Sequence, residues 1–272
     1  MIKFIPDRNL SQLGAISIGA RSYGICQLRI IGIRSSREVS EKPVNVSKYY
    51  DLDAIAGEVA AGKHRETVGG DWDEIGMLQF EYLVEKTLQP AHRLLDIGCG
   101  CLRGGVHFIR YLDPANYFGI DVNQSLLDAG YNVELAQAGL QDRLPRENLV
   151  CSGEFEFEKF GTKFDFAIAQ SLFTHLSLNH IRHCLTNLAS VMEVGGMFFA
   201  TFFELPSSAS IAAPFTHFPG NIITHGDADP YHYWLMDMSH AAARLPWRIR
   251  IGSGWDHPRG QKMLLFTRIN EE

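Results

Sequence analysis

The 272-residue sequence lacks the features that mark a membrane-spanning, secreted or nucleic-acid-binding chain. No apolar run reaches the length of about 18 residues that a transmembrane helix needs, and no long apolar segment near the N-terminus predicts a signal peptide. The five cysteines include no C-x-x-C pair, which favours reduced thiols and a cytoplasmic location. Because the formal net charge is -6, no positive field attracts nucleic acid or an anionic membrane, and neither partner is expected.

Three parts of the chain differ in their residue pattern. Residues 1–47 are rich in isoleucine and glycine with short β-like alternation, and they predict a β-rich N-terminal arm. Residues 48–90 become helical in pattern and predict a helical cap segment. Residues 91–272 form the main domain, in which the polar stretch 204–233 has no clear period. We expect that stretch to be an insertion on the substrate side of the domain.

Strands and helices alternate through the main domain. Five apolar runs predict strands and are separated by segments of helical spacing or by loops: "HRLLDI", "YFGIDV", "NLVCSG", "FDFAIAQ" and "MFFATFF". The last two predicted strands, "WRIRIGS" and "KMLLFTRI", have no helix between them and therefore pair antiparallel. The pattern predicts an α/β fold with a doubly wound, mostly parallel sheet of about seven strands and an antiparallel C-terminal strand.

A glycine-rich loop, "DIGCGCLRGG", follows the first predicted strand of this sheet. Gly98 and Gly100 allow the backbone to approach a ligand closely because they carry no Cβ atom. Asp96 precedes them and suits a positively charged ligand, whereas a pyrophosphate beside it is disfavoured. Asp121 ends the second strand, where its carboxylate can accept hydrogen bonds from both hydroxyls of a ribose. The alternative is that the two aspartates cap the helices that follow them.

The motifs "LLDIGCG", "YFGIDVN", "FDFAIAQSLFTHL" and "VGGMFFATFF" resemble those of class I S-adenosylmethionine-dependent methyltransferases, in matching order over about residues 90–270. An antiparallel last strand is also typical of that family. The resemblance implies the fold predicted above, S-adenosylmethionine as cofactor and methyl transfer as the reaction.

The resemblance also implies roles for individual residues. Asp96, Gly98 and Gly100 would line the methionine portion of the cofactor. Asp121 would hold the ribose, with Val122 beside the adenine. Two further side chains would complete the pocket, Glu154 near the adenine amino group and Gln170 near the sulfonium. For Glu154 the alternative is a solvated position, since Glu156 and Glu158 continue the same alternation.

Candidate catalytic residues lie after the fourth and fifth strands. His175, in "SLFTHL", is expected at the mouth of the active site, where it could take the proton of a hydroxyl acceptor. The alternative is a histidine that packs under the next helix. His225 and Asp227, in "THGDADPYHY", are the second candidates. That cluster has no recognised metal-ligand spacing, so we expect polar loop residues and no metal site.

The expected reaction is methylation of a small molecule or saccharide, at a hydroxyl group. Nucleic-acid acceptors are disfavoured, because "QSLF" stands in place of the "[DN]PP[YF]" sequence of amino-directed nucleic-acid methyltransferases, and no Pro-Cys pair, which the cytosine-C5 enzymes would need, follows the fourth strand. Two alternatives remain open at this point. One is a nicotinamide-dependent oxidoreductase, against which the late Gly104 of the loop argues. The other is a catalytically silent partner protein that binds S-adenosylmethionine.

Overall fold

The computed structural model describes residues 47–270, which all belong to one unit, Lys42–Glu272. The β-rich arm predicted over residues 1–47 therefore lies, except for Ser47, outside the described residues.

One eight-stranded sheet organises the described chain. Its main path runs β3-β2-β1-β4-β5-β10-β9, with β8 paired to β5, and a separate hairpin joins β6 to β7. The strands are β1 (Leu94–Ile97), β2 (Tyr117–Asp121), β3 (Leu149–Cys151), β4 (Phe164–Ala169), β5 (Met192–Glu204), β6 (Phe215–His217), β7 (Ile222–Thr224), β8 (His232–Tyr233), β9 (Trp247–Ile251) and β10 (Lys262–Arg268).

The directions of the strands confirm the predicted fold class. β1 pairs parallel with both β2 and β4, so that Leu94 lies beside Tyr117 on one side and Phe166 on the other. β4 pairs parallel with β5, whereas β10 pairs antiparallel with both β5 and β9. The strand order therefore reverses between β1 and β4 while both strands keep the same direction, and the last strand runs against the parallel ones, as the sequence predicts.

Helices cover both faces of the sheet. They are α1 (Leu52–Ala60), α2 (His64–Thr67), α3 (Trp72–Glu85), α4 (Gly105–Tyr111), α5 (Gln124–Ala129), α6 (Ala136–Ala138), α7 (Leu178–Val191) and α8 (Leu235–Ala241). The helix predicted over residues 124–138 is continuous, but its middle, Gly130–Leu135, is a π-helix. A Cβ atom on Gly130 would lie 2.7 Å from Leu102 Cγ, so this glycine lets the helix pack directly on the loop after β1.

The core lies on both faces of β5, which explains the run of mostly apolar residues "MFFATFF" within it. Phe198 and Phe202 face the cluster that packs against α7, and Phe199 faces the cluster that contains Phe108 of α4. Trp247 of β9 completes the first cluster, where its Nε1 donates a hydrogen bond to the Leu185 carbonyl at 3.0 Å. Among residues 47–270, no helix is long and apolar enough to cross a membrane.

The 204–233 stretch is more regular than its sequence pattern suggests. β6 and β7 form an antiparallel hairpin within it, and β8 at its end pairs with β5. Thr224 Oγ1 joins two buried histidines, at 2.9 Å from His217 Nε2 and 2.8 Å from His232 Nδ1. Strands of two or three residues are too short to show a period, which is why the pattern did not reveal them.

Candidate cofactor and active site

A cavity opens where β1, β2 and β4 end. This is the carboxyl edge of the parallel strands, at the point between β1 and β4 where the strand order reverses. Doubly wound folds bind ligands there. The lining residues include Asp96, Gly98, Gly100, Arg103, Asp121, Val122, Gln170, His175 and, from the segment before α1, Ser47, Tyr49 and Tyr50. Seven of the residues that the sequence singles out therefore meet in one place.

The glycines of the loop after β1 serve two different purposes. Gly98 and Gly100 have φ of +73° and +53°, a left-handed conformation that L-residues with a side chain adopt only with strain. A Cβ atom on Gly100 would also lie 2.9 Å from Val68 Cγ1. Gly104 and Gly105 are needed for packing instead, because their Cβ atoms would each lie 2.7 Å from a side-chain oxygen, of Gln79 and Tyr117 respectively.

Two aspartates at strand ends form the acidic wall of the cavity. Asp96 is buried, and its Oδ2 accepts a hydrogen bond from the Tyr117 hydroxyl at 2.8 Å. Its removal from water raises the pKa of Asp96 to about 7. Asp121 accepts hydrogen bonds from the backbone N–H groups of Gly100 at 2.9 Å and Asn123 at 2.8 Å. Asp121 therefore ties the glycine loop to the end of β2. These hydrogen bonds favour a lower pKa for Asp121, but burial outweighs them and the pKa is raised.

The loop after β3 corrects the expectation for Glu154. Val122, Ser152, Gly153 and Phe155 line the cavity, but Glu154 is exposed and does not. Phe155 is buried while its neighbour Glu154 faces solvent, and Phe155 takes a left-handed backbone conformation with φ of +55°. The alternation with the glutamates that follow was the signal that favoured this outcome.

Gln170 connects the cavity to a polar network behind β4. Its side-chain nitrogen lies 2.9 Å from His257 Nε2 and 3.0 Å from Ser171 Oγ. Burial lowers the pKa of His257 to about 3, so its ring is neutral and can accept this bond. The Gln170 Oε1 atom is buried and has no hydrogen-bond partner within the described part of the chain. A buried acceptor without a donor is costly, and a donor on a bound ligand would satisfy it.

His175 and Asp229 form a hydrogen-bonded pair at the wall of the cavity. His175 Nδ1 lies 2.5 Å from Asp229 Oδ1, with the two side chains 23% and 10% exposed. Burial favours a higher pKa for Asp229, but the hydrogen bond to His175 keeps that pKa below its ordinary value. The Tyr49 ring meets the imidazole edge-on, with ring centroids 5.0 Å apart. The structure therefore couples a candidate base to a carboxylate 54 residues later in the chain.

His225 and Asp227 do not reach the cavity. His225 forms a backbone bridge with Tyr231, and Asp227 is exposed. The carboxylate of this loop that contacts a cavity-lining side chain is that of Asp229, through His175, and the sequence did not distinguish Asp229 from its neighbours. Among residues 47–270, no group of three or more histidine, cysteine or acidic side chains could hold a metal ion.

The segment before α3 covers the cavity and is held by an ion pair in which Glu134 is buried and Arg65 is partly exposed. Tyr49 accepts a hydrogen bond on its carbonyl from Asn123 Nδ2 at 2.9 Å, and burial raises the pKa of its hydroxyl to about 12. Glu134 receives two bonds from Arg65, at 2.7 and 2.6 Å, and lies 2.6 Å from His64 Nε2. Such two-pronged pairs fix geometry as well as energy. No short motif in the sequence marked Tyr49 as a cavity residue.

Comparison with known proteins gives matches that agree with this site. Residues 95–198 match the protein family described as "Methyltransferase domain". The chain is similar in structure to an S-adenosylmethionine-dependent methyltransferase from Clostridium acetobutylicum ATCC 824, with a TM-score of 0.55 and 12% identity over 82% of this chain and 99% of that chain.

Two further solved structures carry S-adenosylhomocysteine. A magnesium protoporphyrin IX methyltransferase from Synechocystis PCC 6803 matches with a TM-score of 0.54 and 13% identity, over 80% of this chain and 99% of that chain. A glycopeptide N-methyltransferase matches with a TM-score of 0.51 and 15% identity, over 71% of this chain and 90% of that chain. At these identities the likeness extends to the fold and not to the acceptor.

Proposed function

We propose that the chain uses S-adenosylmethionine to methylate a hydroxyl group of a small molecule or saccharide, with His175 as the general base. The match of residues 95–198 to a methyltransferase domain and the fold shared with an S-adenosylmethionine-dependent methyltransferase support this proposal. The observation that carries this proposal is the His175–Asp229 pair, 2.5 Å apart, at the wall of the cavity. A hydroxyl oxygen is a poor nucleophile while it keeps its proton, so this acceptor class needs a positioned base.

The residues around the cavity fit S-adenosylmethionine. Asp96 offers an anionic partner to a positively charged ligand, and Gly98 and Gly100 leave room beside it. We assign the ribose hydroxyls to Asp121 and the adenine to the wall at Val122. The unpartnered Gln170 Oε1 supports a ligand donor near the reacting end. When bound, this cofactor would supply a methyl group on a sulfonium. The methyl group passes in line to a nucleophile, and the sulfur leaves as a neutral thioether.

His175 and Asp229 have different roles in removing the proton of the acceptor hydroxyl. Asp229 accepts the Nδ1 hydrogen of His175, which leaves Nε2 with the lone pair and thereby sets the tautomer. Nε2 then takes the hydroxyl proton as the acceptor oxygen attacks, and Asp229 stabilises the imidazolium that forms. The apolar side chains of the wall, among them Leu172 and Leu176, exclude water from the reacting atoms.

Charge supports a small or neutral acceptor over nucleic acid. The chain carries 31 acidic residues against 25 lysines and arginines, so it lacks the excess of cations that a phosphate backbone requires. The two similar structures with bound S-adenosylhomocysteine are described as acting on a porphyrin and on a glycopeptide, and these acceptors differ too much to choose one for this chain.

The test is a methyl-transfer screen with radiolabelled S-adenosylmethionine. The purified protein is incubated with sugars and small alcohols, with amines, and with RNA, and the labelled product is quantified. Labelling confined to the hydroxyl acceptors is expected. Labelling of amines or RNA alone, or of no acceptor at all, would refute the proposed acceptor class.

Three variants then test the base. We expect His175→Ala to lower kcat by about 10²–10⁴-fold, the usual contribution of general base catalysis, with S-adenosylhomocysteine affinity retained. Asp229→Asn should lower kcat and shift its pH profile, because the carboxylate acts through the imidazole. His225→Ala is the matched control and should leave kcat unchanged. Full activity of His175→Ala would remove that residue from the mechanism.

A further inference from the structure

Arg103 is a buried cation that lines the cavity without a neutralising partner. The residue is 8% exposed, and its Nη1 donates to the backbone carbonyls of Val68 at 3.3 Å and Gly70 at 2.8 Å. Those carbonyls satisfy hydrogen bonds but carry no net charge. Within the described residues, every ion pair involves other side chains. A guanidinium removed from water without a directly paired anion is costly, and burial lowers the pKa of Arg103.

The surroundings of Arg103 point to an anion that a ligand brings. Arg103 follows Gly100 by three residues on the loop that approaches the ligand, and it lines the cavity together with Asp96. Its positive charge lowers the pKa of Asp96, so the carboxyl group and the guanidinium lie within electrostatic reach of each other. One wall of the cavity thus presents the buried carboxyl group of Asp96 and the buried guanidinium of Arg103, which are not paired with each other. That arrangement is complementary to a zwitterion, in which an ammonium and a carboxylate share one carbon atom.

We propose that Arg103 binds the α-carboxylate of the methionine portion of S-adenosylmethionine. This rests on the proposed assignment of the cavity to that cofactor. The methionine end is the wall formed by the glycine loop, and its α-carbon carries the carboxylate that the guanidinium lacks. An acidic acceptor could also supply an anion, but the acceptor base His175 belongs to the wall beyond β4, whereas Arg103 stands on the loop after β1.

A second arginine provides a matched control. Arg259 binds the same loop before α3, donating to the Gly69 carbonyl and to Asp71 Oδ2, but it does not line the cavity. Replacing either arginine with methionine removes a bond to that loop. Only the replacement at Arg103 also removes a cation from the cavity. The two variants therefore separate ligand binding from the support of the loop.

The experiment compares two ligands by calorimetry, S-adenosylhomocysteine and its decarboxylated analogue, which keeps the ammonium, ribose and adenine. For the native protein we expect the analogue to bind about tenfold to hundredfold more weakly, the usual effect of a hydrogen bond to a charged group. Arg103→Met should weaken S-adenosylhomocysteine by a similar factor and leave the analogue unchanged, so that the ratio of the two dissociation constants approaches one. Arg259→Met should keep the native ratio.

Each other outcome overturns the assignment. If Arg103→Met weakens both ligands equally, the arginine only supports the loop or the fold. If its affinities equal those of the native protein, the arginine serves another anion such as an acidic acceptor. If Arg259→Met also abolishes the ratio, the loop and not the guanidinium recognises the carboxylate. Arg103→Gln is the second variant should Arg103→Met not fold, and a native ratio in that variant likewise refutes the carboxylate contact.

The failure of this inference is distinguishable from failure of the proposed function. Loss of all S-adenosylhomocysteine binding by the native protein would refute the cofactor assignment itself. A native protein that binds the ligand with an Arg103-independent ratio would refute only the carboxylate contact. Neither measurement depends on the acceptor or on His175.

Discussion

Replacing Asp96 with asparagine should make the protein more stable and a poorer binder of its cofactor. The carboxyl group is 4% exposed and accepts one hydrogen bond, from the Tyr117 hydroxyl at 2.8 Å. Its desolvation raises the pKa from 3.8 to about 7. Asparagine has nearly the same shape, and its Oδ1 can still accept the Tyr117 bond. The substitution therefore removes an ionisable group from the core without leaving a cavity.

The size of the effect follows from the linkage between protonation and folding. Since the native state binds this proton more tightly than the unfolded chain, the unfolding free energy of the native sequence falls as pH rises from about 4 to 7 and then levels off. With one pKa unit equal to about 1.4 kcal/mol, the penalty at pH 8 is about 4 kcal/mol, and at pH 5 it is about 1.6 kcal/mol. The stability gained by Asp96→Asn should thus grow by about 3 kcal/mol between these two pH values.

The assay is urea unfolding of both proteins at pH 5 and pH 8, with calorimetric titration of S-adenosylhomocysteine at the same pH values. The difference between the proteins is the informative quantity, because other titrating groups such as Asp121 affect both. The variant should bind more weakly at pH 8, where the native carboxylate is ionised and can attract the ligand ammonium. A stability difference that is the same at both pH values would show that Asp96 does not titrate as its burial requires.

Two further predictions concern the glycine loop and the thiols. Gly100→Ala should destabilise the fold by about 1–2 kcal/mol, the usual penalty for a left-handed L-residue, and should weaken S-adenosylhomocysteine binding because the new Cβ lies 2.9 Å from Val68 Cγ1. Gly139→Ala, which has a φ of +66° and no neighbour within 4 Å, is the control in urea unfolding and should keep its ligand affinity. In a Cys26→Ser background, an aromatic disulfide reagent should modify one thiol of the folded protein rapidly, that of the exposed Cys151, since the other three described cysteines are buried and burial raises their pKa values. A fast phase that survives Cys151→Ser would contradict this assignment.

The fold was predictable because its signals are local. The apolar run of β5, the helical spacing of α7 and the missing helix before β10 each depend on residues that are close in sequence. Handedness and strand direction then follow from general rules of βαβ units, and the observed strand order agrees with them. The same applies to Asp96 and Asp121, because a residue at the end of a parallel strand must lie at the carboxyl edge of the sheet.

The sequence by itself thus determined the sheet, the glycine loop and the acidic strand ends, since backbone geometry constrains each within a few residues. Only the tertiary structure decided which polar side chains of the long loops meet at the cavity. Asp229 reaches His175 whereas Asp227 stays exposed, and Phe155 turns inward where Glu154 was expected. The path of a loop depends on distant contacts, such as the pairing of β8 with β5, which brings the chain back beside His175. No spacing rule encodes such contacts, and for that reason the carboxylate partner of His175 and the buried, unpaired Arg103 emerged only in the folded chain.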